Sequence, residues 1–132
     1  MAMKKIFLYE KYDGVRFVLE RSLAKYHEKI QIHSFSWKEE IKKMINSNHL
    51  DLLITELDLT NPIGIGISSF ARSKSPNLKI LWVTALGCDV FREHKQKLGD
   101  IICIEKPLQI LDFRTRVLDL LEISPILTNY HP

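Results

Sequence analysis

The 132-residue sequence has few of the residues that mark disulfide-rich or metal-binding proteins. Its two cysteines, Cys88 and Cys103, are neither closely spaced nor part of a metal-binding pattern. We therefore predict no disulfide framework and expect a reducing compartment, with Cys103 as a small buried apolar residue. The five histidines are spread without ligand spacing, so they indicate no metal site.

The chain also lacks long apolar runs and a strong charge of one sign. No segment reaches the roughly 18–20 apolar residues of a membrane helix, and the apolar stretch after the basic start is too short for a signal peptide. The formal net charge is only +3, and the basic residues are scattered, without a stripe or interleaved aromatics. We expect a cytoplasmic protein that contacts no membrane and, through this domain, binds no nucleic acid directly.

What the sequence does contain is an alternation of five short apolar runs with five amphipathic stretches. The apolar runs predict strands at residues 5–9, 30–35, 52–55, 79–83 and 101–104. The amphipathic stretches predict helices at 14–27, from 36 onward, at about 65–74, at 89–98 and from 108 to 122. This order predicts one α/β domain over residues 1–122, with a parallel sheet covered by helices on both faces. The remaining residues 123–132 lack periodicity, and we expect this tail to fray or to lead toward a further segment.

Two helices carry more detailed signals. Ser36 with Glu39 three residues later is a capping-box pattern, which predicts the start of the second helix, and Trp37 is expected on its inner face. The fourth helix is short and strongly polar. Its inner face is predicted to include Val90 and His94, with Phe91 and Leu98 beside them.

Three of the predicted strands run into polar residues of different kinds. Glu56 follows the third strand, Thr84 the fourth and Lys106 the fifth. Since ligand sites in open parallel sheets form beyond the carboxyl ends of the strands, we expect these side chains to share one site.

The motifs KKIFLYEKYD, DLLITELDL, Gly64, PNLKILWVTA and IEKPL together resemble the receiver domain of two-component response regulators. The resemblance covers about residues 3–122. It implies a flavodoxin-like (CheY-like) doubly wound sheet of five parallel strands in the order 2-1-3-4-5, with five helices. It also implies an acidic pair after the first strand, a phospho-accepting aspartate after the third, and a magnesium-assisted phosphoryl transfer.

The resemblance identifies both matches and departures at the site. Thr84 with Ala85 and Lys106 with Pro107 match the family pattern. The phospho-acceptor position holds Glu56, and the acidic pair is replaced by Glu10 followed by Lys11. Cys103 stands where many receivers have an aromatic switch residue.

These departures lead to a hypothesis about charge. Two carboxylates, Glu10 and Glu56, against two ammonium groups, Lys11 and Lys106, sum to zero without a metal ion. Since Mg²⁺ needs near-ideal oxygen ligation and an adjacent ammonium repels it, we expect Lys11 to replace the metal and Mg²⁺ to bind weakly or not at all. If Mg²⁺ did bind, Glu10, Glu56 and the backbone of Asp58 would be its ligands. No other cofactor is expected.

A second register remains open, in which Asp58 is the acceptor. Asp58 is followed by Pro62 and Gly66 at a spacing that receivers often show after the acceptor. The first register places Asp58 in the loop, with its backbone carbonyl, and not its carboxylate, toward the pocket. The second register implies an active receiver phosphorylated on Asp58 with an atypical metal site.

The favoured interpretation is a degenerate, non-enzymatic receiver that works through protein–protein contact. Its partner surface is expected at the face formed by the fourth helix, fifth strand and fifth helix, and a homodimer is a further alternative. A flavin-binding or enzymatic flavodoxin-like domain is the alternative from another class. The segment EKYDGVR after the first strand is a poor cradle for phosphate, which disfavours that alternative.

Overall fold

The computed structural model describes residues 3–58 and 63–126. Within these ranges, strands and α-helices alternate along the chain. The strands are β1 (Lys4–Tyr9), β2 (Ile30–Phe35), β3 (Leu52–Leu57), β4 (Lys79–Thr84) and β5 (Ile101–Glu105). The helices are α1 (Asp13–Ser22), α2 (Lys38–Ser47), α3 (Ile63–Lys74), α4 (Arg92–Leu98) and α5 (Ile110–Leu121). Short 3₁₀ turns at Ala24–Tyr26 and Cys88–Phe91 precede β2 and α4.

All pairings in the sheet are parallel, and the strand order is β2-β1-β3-β4-β5. The predicted fold class is therefore confirmed. Successive side chains of a strand point to opposite faces, so Ile6 and Leu8 join a core with α1 and α5, whereas Phe7 and Tyr9 join a core with α2 and α3. The sheet is thus buried on both sides, which is why its strands read as continuous apolar runs.

The predicted start of α2 was wrong. The helix begins at Lys38, its N-cap residue is Trp37, and no side chain caps it, so Ser36 and Glu39 form no capping box. Trp37 has an extended backbone, and its side chain is 70% exposed instead of facing the core. Because Trp37 precedes the helix, helical spacing does not decide which way its side chain points.

The predicted fourth helix is two elements. Its first turn is the 3₁₀ turn Cys88–Phe91, and only α4 after it is α-helical. Phe91 is buried, but Val90 and His94 are exposed, contrary to the prediction. A 3₁₀ turn has three residues per turn instead of 3.6, so the helical spacing used in the prediction does not hold across this junction.

The beginning of the tail is packed and does not fray. Ile123 is buried and its N–H donates to the Leu118 carbonyl at 2.9 Å, while the N–H of Ile126 donates to the Tyr26 hydroxyl at 3.1 Å. The rest of the tail, 127–132, and the loop residues 59–62, which include Pro62, lie outside the described residues. Among the residues that are described, no helix combines the length and apolar character needed to cross a membrane.

Candidate functional site

The carboxyl ends of three neighbouring strands align at one edge of the sheet. β3 is two residues longer than predicted and includes Glu56 and Leu57. Leu57 pairs with Thr84 of β4, and Thr84 pairs with Glu105 of β5. The N–H of Lys106 then donates to the Thr84 carbonyl at 2.7 Å. This register is what brings the polar residues that end the three strands to the same edge.

A cleft lies at this edge. It is lined by Tyr12, Glu56, Leu57, Asp58, Ala85, Leu86 and Lys106. Thr84 is fully buried, and its Oγ1 accepts a hydrogen bond from the N–H of Leu86 at 3.0 Å, which fixes the start of the loop after β4. Pro107 lines a separate apolar groove beside Gly14 and Val15 of α1.

Glu10 and Lys106 form the inner ion pair of the site. Lys106 Nζ lies 3.0 Å from Glu10 Oε1, and their side chains are 18% and 1% exposed. The N–H of Tyr12 donates to the second oxygen of Glu10 at 3.4 Å, and Arg16 Nη1 donates to the Glu10 backbone carbonyl at 2.7 Å. A carboxylate so deeply buried needs such partners, because an uncompensated charge in the protein interior is strongly unfavourable.

Lys11 and Asp58 form the outer ion pair. Lys11 Nζ donates to Asp58 Oδ2 at 3.1 Å, and the two side chains are 34% and 30% exposed. The hydrogen bond to Asp58 raises the pKa of the Lys11 ammonium above 10.5. The backbone carbonyl of Asp58, and not its carboxylate, was expected toward the pocket; the structure adds that the carboxylate is the partner of Lys11.

Tyr12 lies between the two pairs, and it was not predicted as a site residue. Its ring centroid lies 5.1 Å from Lys11 Nζ and 5.7 Å from Lys106 Nζ, within the range of cation–π contacts. The signal that could have identified it is its position directly after Lys11, at the end of a strand next to the expected site.

The backbone of Glu56 is tightly packed, whereas one oxygen of its side chain lacks a hydrogen bond among the described residues. Glu56 is 7% exposed, and its Oε2 makes no hydrogen bond to any residue in the described ranges. Gly64, in the first turn of α3, packs directly on the Glu56 carbonyl, where a Cβ atom would overlap that oxygen and lie 2.7 Å from Leu57 Cδ2. The position of Gly64 in the family pattern is therefore a packing requirement at the end of β3.

The site can be tested for its fit to the Mg²⁺ ion that the resemblance implies. The site residues include three carboxylates, Glu10, Glu56 and Asp58, and two ammonium groups, Lys11 and Lys106, which leaves one formal negative charge where the count from the sequence was zero. Glu10 and Asp58 each already pair with a lysine. The one Glu56 oxygen that has no hydrogen bond among the described residues is far from an octahedral set. No cluster of three or more ligand side chains occurs in the described ranges. These residues do not fit Mg²⁺.

The two cysteines are joined, so the prediction of no disulfide was wrong. Cys88 and Cys103 form a disulfide with their Cα atoms 6.0 Å apart and a sequence separation of 15 residues. Cys103 pairs in register with Trp82 of β4, and Cys88 lies four residues beyond the end of β4. Because β4 and β5 are neighbours, the turn after β4 lies beside β5. The proximity of the two cysteines could be predicted only by combining the strand order with the position of each cysteine along the chain. Cys103 is also half-exposed and not buried as expected.

Comparison with known proteins identifies the fold. No protein-family model matches the sequence, and no curated protein matches it. The chain is similar to the non-phosphorylated HemR receiver domain from Leptospira biflexa, with a TM-score of 0.78, 22% identity and coverage of 95% of this chain and 99% of that one. A response regulator receiver protein from Sinorhizobium medicae gives a TM-score of 0.79 at 20% identity, covering 91% and 95%. The response regulator protein TrrA from Thermotoga maritima, in complex with Mg²⁺–BeF, gives 0.74 at 22% identity, covering 89% and 99%. The chain therefore has the fold of the response-regulator receiver domains.

Proposed function

We propose that this domain is a receiver-type signalling module that acts through protein–protein contact, without conventional aspartate phosphorylation. The observation that carries the proposal is the ammonium of Lys11, which lies 3.1 Å from Asp58 at the place where the receiver pattern has a second acid. An ammonium there supplies a fixed positive charge next to the carboxylates, and it supplies none of the oxygen ligands that a bound Mg²⁺ requires.

The second argument is the nature and position of Glu56. Glutamate extends its carboxylate by one methylene compared with aspartate, and a misplacement near 1 Å can cost on the order of a hundredfold in rate. Only 7% of the Glu56 surface is exposed to solvent. A soluble phosphoryl donor therefore has little access to it. A carboxylate lacks the charge and the third acceptor oxygen of a phosphoryl group, so Glu56 would imitate an acylphosphate only in part.

The rival is an active receiver that is phosphorylated on Asp58. Asp58 is 30% exposed and so is more accessible than Glu56. Phosphorylation there would have to break its hydrogen bond with Lys11, and no second carboxylate follows Glu10 in the chain to help hold a metal ion. The geometry therefore favours Glu56 at the acceptor position and a silent site.

Labelling with a small phosphoryl donor tests the proposal directly. The purified protein is incubated with acetyl phosphate or phosphoramidate and Mg²⁺, and the product is analysed by intact mass spectrometry. We expect no phosphoryl adduct on the wild-type protein or on Asp58→Asn. An adduct that disappears in Asp58→Asn would establish the rival, and one that disappears in Glu56→Gln would show that Glu56 accepts the group.

A gain-of-function variant makes a negative result informative. Lys11→Asp with Glu56→Asp restores the acidic pair and the aspartate at the acceptor position, while Thr84 and Lys106 stay in place. We expect this double variant to be labelled in a Mg²⁺-dependent manner. Lys11→Asp alone is the matched control, and we expect it to remain unlabelled if Glu56 is the obstacle.

The partner surface is proposed at the face of α4, β5 and α5. β5 lies at one end of the described strand order, and α4 is exposed along its length, with Arg92, Lys95 and Lys97 toward solvent. This surface would suit an acidic partner, and a second copy of the chain is the other occupant to consider. Sedimentation velocity of the purified protein separates the two cases.

A flavin-binding or enzymatic role has no specific observation in its favour. A flavin phosphate would need backbone N–H groups and positive potential where the chain passes from β1 into α1. The chain places Glu10 and Asp13 there, and the N–H of Tyr12 is directed at the Glu10 carboxylate. We therefore assign no catalytic activity to the domain.

A further inference from the structure

We propose that Cys88 and Cys103 form a reversible dithiol–disulfide site that takes small disulfides and dithiols as its reaction partners and controls the segment between β4 and α4. This inference does not depend on the absence of phosphorylation. It rests on where the two cysteines lie, what they connect and how they can be reached.

The two positions can be bridged without moving the backbone. Their Cα atoms are 6.0 Å apart, inside the usual range for disulfides. Cys88 is the first residue of the 3₁₀ turn before α4, and Cys103 is the central residue of β5. The bond therefore closes a loop that contains the whole of α4.

Both cysteine residues keep part of their surface in contact with solvent. Cys88 and Cys103 are half-exposed, and β5 has only β4 as its neighbour in the described sheet. The sequence has no third cysteine, so a mixed disulfide formed at one position can be resolved within the chain only by the other. A fully buried structural disulfide would lack this exposure and would be inert.

Few other contacts hold the same segment. The backbone N–H of Cys88 donates to Glu105 Oε1 at 2.9 Å, and the Phe91 ring packs edge-on against Trp82 at 6.3 Å between centroids. Beyond Phe91, the residues of α4 up to Lys97 are exposed, and none of the helix is fully buried. When the disulfide is reduced, residues 87–98 keep the Cys88–Glu105 hydrogen bond, the buried Phe91 ring and Leu98, which packs against the core formed with α2 and α3, as their anchors.

The reaction balances with a small disulfide as oxidant. One cysteine thiolate attacks the small disulfide, which forms a mixed disulfide and releases one small thiol. The second cysteine thiolate then attacks the protein sulfur of that mixed disulfide and releases the second small thiol. In total the protein loses two protons and two electrons, and the two released thiols carry these protons and electrons. Reduction by a dithiol runs the same steps in reverse.

Titration against glutathione redox buffers tests the site. The wild-type protein is equilibrated with mixtures of reduced and oxidised glutathione, alkylated, and counted for blocked thiols by mass. We expect two populations only, with either two free thiols or an internal disulfide. Cys88→Ser and Cys103→Ser should instead each accumulate a persistent glutathione adduct, because the resolving thiol is missing. Wild-type protein that also retains the adduct, or that takes up no glutathione-derived oxidation at all, would overturn the proposal.

Hydrogen exchange tests the control of the segment. We expect amide exchange in residues 87–98 to accelerate at least several-fold on reduction, while β1 and α1 are unchanged. The variant Cys88→Ala with Cys103→Ala should behave as the reduced protein in any buffer, which guards against effects of the reductant itself. Equal exchange in the reduced and oxidised forms would mean that the bond does not govern this segment.

Discussion

The two lysine–carboxylate pairs at the carboxyl edge use the same chemistry in different surroundings. Glu10–Lys106 and Lys11–Asp58 have nearly equal distances, 3.0 and 3.1 Å. The Glu10 side chain is 1% exposed, whereas both partners of the outer pair are about one-third exposed, at 34% and 30%. Because water screens the outer pair and scarcely reaches the inner one, the two contribute differently to the protein.

This difference separates a fixed part of the site from an adaptable part. The inner pair joins the end of β1 to the residue after β5, across 96 positions of sequence, and its loss would leave a charge in the interior. The outer pair joins two loop ends where water can replace either partner. We infer that the inner pair sets the shape of the edge and that the outer pair sets its charge.

Removing the inner lysine should have the largest effect. Lys106→Met leaves the buried Glu10 carboxylate without its counterion, and we expect it to lower the free energy of unfolding by about 3 kcal/mol. Urea denaturation followed by circular dichroism measures this. The matched control is Lys97→Met, at an exposed position of α4, which should stay close to wild type.

A double variant shows whether the charge or the packing is responsible. Adding Glu10→Leu to Lys106→Met removes the unpaired charge, so part of the lost stability should return. A double variant that is as unstable as the sum of the two single variants would mean that the pair is not coupled. The assignment of a fixed inner pair would then be incorrect.

A substitution beneath the end of β3 should have the next largest effect. Gly64→Ala places a Cβ atom against the Glu56 carbonyl and Leu57, and backbone cannot move aside as a side chain can. We expect a loss of roughly 1–3 kcal/mol in the free energy of unfolding, since α3 must shift away from β3. This shift acts on the Asp58 side of the edge, and it leaves the Glu10–Lys106 pair in place.

Gly66→Ala is the control for that experiment, because it lies in the same helix and a Cβ atom there would meet nothing within 4 Å. We expect it to stabilise the protein by about 0.5–1 kcal/mol, the usual advantage of alanine over glycine inside a helix. Opposite signs for the two alanines would locate the cost at the contact with Glu56. Equal losses would point to the helix itself.

The fold was predictable from the sequence because burial on both faces makes the inner strands, such as β3 and β4, nearly continuous apolar runs. The runs LLIT and KILWV predicted β3 and β4 in this way. The helix starts were less predictable. Trp37 and the turn Cys88–Phe91 adopt backbone conformations that helical spacing does not describe.

Within the site, only the residues that lie at the ends of strands could be predicted from the sequence. Glu56, Ala85 and Lys106 reach one cleft because the register of parallel strands brings them there. The partners of the lysines depend on side-chain directions in loops, and so the pairing of Lys11 with Asp58 was missed. The disulfide was missed because Cys88 lies in the turn after β4, outside the predicted elements, whereas Cys103 lies on the neighbouring strand β5. The roles of these residues in signalling stay predictions.

The smallest expected effect distinguishes the outer pair by its pH dependence. Since the hydrogen bond to Asp58 raises the pKa of Lys11 above 10.5, the stability from this pair is fully present below that pH and is lost as the pH rises through the raised pKa. Burial also raises the pKa of Tyr9 above 10.0, so Tyr9 causes a further loss of folding stability over an overlapping range of pH. The experiment is therefore best done in the Tyr9→Phe variant.

In the Tyr9→Phe background, we expect Lys11→Met to reduce the fall of the urea midpoint between about pH 9 and about pH 12. At neutral pH it should shift the midpoint much less than Lys106→Met does, because both members of the outer pair are hydrated. If the urea midpoint fell equally at alkaline pH with and without Lys11, the Lys11–Asp58 pair would not form in solution. The distinction between a fixed inner pair and an adaptable outer pair would then be incorrect.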